Sequence, residues 1–165
     1  MATQQPLYGT SVTMSTTGLA SLPSNPTASF QSDRISNLST LAMDIEITVK
    51  ITTAVGAPAN DKCAYVWVCP WTNNADGSWI PAMAGYGVPP SGSASAIGII
   101  QPHDLRLLGV MNYTTNNQNL QNSWFLSNAF GPMPDAFSLM VTNFTGVTFG
   151  STASMFYRPI NYTIS

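Results

Sequence analysis

Residues 43–52 read Met-Asp-Ile-Glu-Ile-Thr-Val-Lys-Ile-Thr, with Ile45, Ile47, Val49 and Ile51 alternating without interruption against Asp44, Glu46, Thr48, Lys50 and Thr52. Successive side chains of an extended strand point to opposite faces, so this pattern places one face in a core and the other in water. No stretch of comparable quality elsewhere has helical period. The expected fold is therefore all-β, an antiparallel sandwich or barrel. On such a scaffold, function falls to edges, loops and tails.

The other expected strands are residues 28–35, 62–70, 93–100, 104–113, 124–130, 136–144 and 153–163, about eight in all, the number of a jelly-roll-like β-sandwich. Residues 62–70 are apolar on both sides, with Tyr65 and Trp67 on one and Ala64, Val66 and Val68 on the other. That marks a central strand, or one whose outer face is covered. Asn74-Ala75-Asp76-Gly77-Ser78 is a hairpin turn, since Asp-Gly supplies the positive φ that a tight turn needs. Gly109 sits where a bulge would interrupt its strand. Residues 81–92, rich in Gly and Pro, and residues 114–122, rich in Asn and Gln, read as loops.

Residues 1–28 form an extended N-terminal arm and 29–165 a single β-sandwich domain. Pro6, Pro23 and Pro26 interrupt the arm, yet it carries Leu7, Tyr8, Val12, Met14, Leu19 and Leu22. Spaced hydrophobes of this kind are unusual in a solvated tail. The segment reads as an arm or a loosely attached first strand, and as an arm it is either ordered by lying on a neighbouring subunit or a frayed terminus.

A chain of 165 residues supports a substantial core without staples. Only 7% of its residues are charged, with a formal net charge of -2, far below the roughly 25% of ordinary soluble domains. A surface whose polarity comes from Ser, Thr, Asn and Gln repels its own copies weakly and suits packing in an assembly. The five basic residues, Arg34, Lys50, Lys62, Arg106 and Arg158, are dispersed, so direct nucleic-acid binding is not expected. No run of about 20 apolar residues is present to span a bilayer, and the first residues lack the basic and apolar regions of a secretory signal. Neither export nor a membrane is expected.

Catalytic chemistry finds little support. His103 is the only histidine, which excludes a multi-histidine metal site within one chain, and no nucleophile elbow, phosphate loop or cysteine-rich metal pattern occurs. Asp44 and Glu46 share one strand face roughly 7 Å apart, near the spacing of paired glycosidase carboxylates, but a solvated face explains them as well. Cys63 and Cys69 share a face of one strand roughly 20 Å apart. A disulfide requires Cα atoms within about 7 Å, so buried free thiols are expected. The chain reads as no enzyme, with no catalytic residue, no metal and no cofactor.

Aromatic residues at strand ends and in loops are the better contact candidates. Trp71, Trp79, Tyr86 and Trp124 either close the ends of the core or face a partner, and with Leu7, Tyr8, Val12 and Met14 of the arm they form the expected partner-contact set.

Several segments, taken in order, resemble a family of small virion proteins of tailed bacteriophages. They are the alternating strand from Asp44 to Lys50, the connection Ala57-Pro58-Ala59-Asn60-Asp61-Lys62 into Ala64-Tyr65-Val66-Trp67-Val68, the Ala75-Asp76-Gly77 hairpin, and Leu105-Arg106-Leu107-Leu108-Gly109-Val110. Later come residues 125–130, followed by Gly131-Pro132-Met133-Pro134, and residues 138–143. The likeness runs from about Ser29 onward. The two cysteines and the long N-terminal segment depart from it. The resemblance implies a capsid decoration, or cement, protein with a jelly-roll body, made in the host cytoplasm and assembled as a dimer or trimer on the outer surface of the head. Its partners would be the major capsid protein and its own copies, with the arm as a lattice strap. The alternative is a carbohydrate- or receptor-binding β-sandwich module of a phage tail or fibre.

Overall fold

The computed structural model describes residues 4–25, 28–59, 61–81, 93–97 and 105–164. Two antiparallel sheets face one another across a common core. In sheet A, β1 (Gln4–Tyr8) and β2 (Val12–Met14) lie along one edge of β12 (Phe149–Ile164), which is followed by β5 (Asp44–Thr53) and β10 (Asn119–Phe125). In sheet B, β7 (Trp79–Pro81) and β9 (Arg106–Asn112) lie along β6 (Cys63–Asn73). Next come β11 (Ala136–Phe144), then β3 (Ser29–Gln31) in line with β4 (Ile35–Ser36), and finally β8 (Ser95–Ile97). Among the described residues there are twelve strands and no α-helix. The excess over the expected eight consists of short edge strands.

The alternation of β5 is realised in full. Ile45, Ile47, Val49 and Ile51 are buried in the core together with Phe137, Leu139 and Val141 of β11 and Ala64, Val66 and Val68 of β6. Full burial of each such side chain contributes about 1.5–3 kcal/mol. The opposite face of β5, from Glu46 to Thr52, is half exposed.

Strand β6 is covered on both faces, as its composition requires. On its outer side Cys69 packs with Leu105 and Met140 in a second small cluster, against which Trp67 and Ile97 rest. Cys63 and Cys69 are both buried free thiols.

Three local devices shape the sheets. The hairpin between β6 and β7 turns at Gly77 with φ of 81°, and Asp76 Oδ1 accepts the Ser78 N–H at 2.9 Å and its hydroxyl at 2.6 Å. The register of β6 on β9 slips between Val66 and Trp67, whose partners are Gly109 and Leu107, so the expected bulge occurs at Leu108–Gly109. There the Trp124 indole of β10 lies so close that a Cβ on residue 109 would stand 2.1 Å from its Nε1. This contact closes the sandwich along the β9 and β10 edges.

The N-terminal segment lies on its own sheet, the attached-strand reading of the sequence. The Gly9 N–H donates to the Pro159 carbonyl at 2.8 Å, which directs the backbone of Gln5 and Leu7 toward β12 and that of Pro6 toward the open edge. Proline has no N–H to offer there. Beyond β2, Leu19 and Leu22 are fully buried. The Leu22 carbonyl accepts from the Phe149 N–H of sheet A at 3.0 Å and from Asn143 Nδ2 of sheet B at 2.9 Å, tying the two sheets together.

Two expected strands have other limits. The stretch 28–35 breaks between β3 and β4, where the Ser32 hydroxyl accepts the Leu139 N–H at 2.8 Å and Asp33 Oδ1 accepts the Ala94 N–H at 2.7 Å. The strand expected at 124–130 instead occupies Asn119–Phe125 and gives way to a 3-10 turn at Leu126–Asn128. Its first half lay hidden in the Asn- and Gln-rich stretch, because an edge strand can carry amides on its water-facing side. Asp44 ends it by capturing Ser127, accepting its N–H at 3.0 Å and its hydroxyl at 2.7 Å.

Candidate functional site

Among the described residues, the outer face of sheet A carries the exposed aromatics Tyr8, Phe125 and Tyr162. Cross-strand register sets Glu46 of β5 between Phe125 of β10 and Arg158 of β12, and places Asp44 beside Ile160, which in turn faces Tyr8 of β1. Arg158 Nε donates to Glu46 Oε2 at 2.9 Å, and the same oxygen accepts from Nη2 in an ion pair. The Arg158 guanidinium also stacks on the Tyr8 ring, 4.3 Å from its centroid. Glu46, Arg158 and Tyr8 thus form a continuous stack across three strands.

A trough of about 300 Å³ opens on one side of this stack, lined by Pro6, Tyr8, Phe125, Ser127 and Tyr162 over a floor of Asp44 and Ile160. A second trough of about 290 Å³, on the other side, is bordered by Ser11, Thr48, Gln121, Ser123 and Phe156. Thr48 and Ser123 join their hydroxyls across it at 2.7 Å.

The rim of the same end is different in character. The loop leading into β5 exposes Leu38, Leu41 and Met43, the second of these 71% accessible and held at φ of 47°. Leu7, 57% accessible, joins them from β1. The side chain of the buried Asn37 grips both backbone groups of Ala42, so the loop is shaped before any partner arrives.

The structure distributes the expected contact residues unevenly. Leu7, Tyr8 and Val12 are exposed on sheet A, whereas Met14 is buried in the core. Trp71 is also buried, its Nε1 donating to Ser138 Oγ at 2.9 Å. The Arg34 guanidinium stands between Trp71 and Trp79, 5.4 Å and 4.5 Å from their ring centroids. Trp124 seals the β9–β10 closure. Three of the four aromatics therefore serve the core or its margins, and the fourth, Tyr86, lies outside the described residues, as does His103.

Asp44 and Glu46 are committed to internal partners. Both oxygens of the buried Asp44 hold backbone or hydroxyl groups of Ile45 and Ser127, and Glu46 is held by Arg158. Phe125, Phe156, Arg158 and Tyr162 were not selected from the sequence, because only register brings them together. The one linear signal was the even-numbered face of β5, onto which they fold. No protein-family model matches the chain, and no curated protein shows detectable sequence similarity to it.

Proposed function

We propose that the chain is a structural virion protein, a capsid decoration or cement protein of a tailed bacteriophage that binds the outside of the assembled head. In this role it bridges neighbouring major capsid proteins and associates with its own copies. The observation that carries the reading is the rim. Leu38, Leu41 and Met43 are exposed on a loop made rigid by Asn37, and Leu41 adopts a left-handed backbone that costs a non-glycine residue about 1–2 kcal/mol. The turn closes a hydrogen bond from the Leu41 N–H to the Asn37 carbonyl at 2.8 Å, but it leaves the Leu41 and Met43 side chains largely in water. A preformed apolar edge on a charge-poor body supports docking against another protein.

Each of these side chains offers at most about 1.5–3 kcal/mol on complete burial, so a single contact is modest. Many copies on a lattice make modest contacts sufficient. Because the protein would bind the assembled shell and not its dispersed subunits, mass action would shift the equilibrium toward the intact shell.

Co-sedimentation with undecorated heads and, separately, with free capsid subunits tests this directly. The protein is expected to pellet with heads alone, and the double substitution Leu41→Ser, Met43→Ser to abolish pelleting without unfolding the protein. Equal binding to heads and subunits, or binding to neither, overturns the reading.

A further inference from the structure

We propose that the outer face of sheet A is a carbohydrate site that takes a neutral pyranose in the trough walled by Tyr8, Phe125 and Tyr162. The proposal does not rest on the virion reading, since this face is distinct from the apolar rim.

Charge selects the class of ligand. Arg158 is neutralised by Glu46, and Asp44 is buried with its oxygens occupied, so the trough has no free charge to offer a phosphate or an ammonium group. Lys50 stands further along β5, opposite Gln121 and Ser154. An anionic ligand would meet the Asp44 carboxylate at the floor, which disfavours sialic acids and nucleic acid alike. A neutral ligand matches the site.

Shape and chemistry then narrow the choice. Phe125 of β10 and Tyr162 of β12 both border this trough, Tyr162 lying four residues beyond Arg158, the β12 residue in register with Glu46 and Phe125. Aromatic side chains bordering one trough suit a saturated ring that presents apolar C–H faces to them. The stack on Arg158 fixes the Tyr8 ring without using its hydroxyl, and among the described residues the hydroxyls of Tyr8 and Tyr162 make no hydrogen bond. They remain available at the mouth of the trough. A ligand lined by aromatic faces and ringed by hydroxyl groups is a sugar, and the second trough, with Thr48, Gln121 and Ser123, continues the same chemistry for a neighbouring unit of an oligosaccharide. An added peptide strand is the poorer fit, because Pro6 withholds a backbone donor from the adjacent edge.

The test is a printed array of neutral and sialylated glycans probed with the whole protein, followed by titration calorimetry with the strongest neutral hit. Binding to neutral glycans is expected, with Phe125→Ala and Tyr162→Ala each weakening it roughly fivefold to tenfold. The distant Ile80→Ser should leave it unchanged. Thermal melts show that each variant is folded, and Phe125→Ala should still pellet with phage heads, which separates failure here from failure of the virion reading. A blank neutral array with folded protein, a preference for sialylated glycans, or neutral binding indifferent to both alanine variants overturns the proposal.

Discussion

Asn37 closes a ring on Ala42: its Oδ1 accepts the Ala42 N–H at 2.8 Å while its Nδ2 donates to the Ala42 carbonyl at 3.2 Å. Both residues are buried, so the bonds cannot simply be exchanged for water. Asn37→Ala is expected to destabilise the protein by about 2 kcal/mol in urea unfolding and to loosen the rim. Asn37→Asp sets a buried carboxylate oxygen against the Ala42 carbonyl and should cost at least as much at neutral pH.

Leu41 combines exposure with a positive φ. Asn tolerates left-handed backbone and offers no apolar surface. Leu41→Asn should therefore leave the melting temperature unchanged or raise it, while weakening head binding in co-sedimentation. A lowered melting temperature would mean that Leu41 serves the fold.

Gly109 and Trp124 are expected to be strongly coupled. Gly109→Ala places a methyl group in the indole and should cost about 1–3 kcal/mol, read by denaturant unfolding and by a shift in tryptophan emission. Replacing the indole as well, in Gly109→Ala, Trp124→Phe, should recover part of the loss relative to the sum of the single changes.

Alkali should unfold the protein in a manner traceable to Tyr113. This phenol is buried, donating to the Ile51 carbonyl at 3.3 Å, and loss of hydration raises its pKa above the usual value of 10.0. The folded state thus keeps its proton where the unfolded chain has begun to release one. The contribution is complete below about pH 10 and declines as pH rises from there toward the folded value. Tyrosinate absorbance should appear together with unfolding, and Tyr113→Phe should move the onset to higher pH.

The alternation in residues 44–53 was enough to identify β5, its buried face and the all-β class, because period-two burial is a local property. Turn chemistry at Asp76–Gly77 and the bulge at Gly109 were equally legible, as was the inability of Cys63 and Cys69 to pair. The break after β3 and the extent of β10 were not, since each depends on a side chain distant in sequence: Ser32 on Leu139, and Asp44 on Ser127. The outer face of sheet A was half legible. Its β5 row was evident, but the Phe125, Arg158, Tyr8 and Tyr162 that complete it are assembled by register. Trp71 was unreadable for a related reason, because only the fold shows its indole bonded to Ser138.

The proline in β1 has a consequence at high density. Crowded copies of a sheet protein with little electrostatic repulsion are prone to zip together through their open margins into fibres. With Pro6 at the outermost margin of sheet A, one rung of such a zipper cannot form. The chain can be crowded shoulder to shoulder, yet its sheets are discouraged from growing through their neighbours.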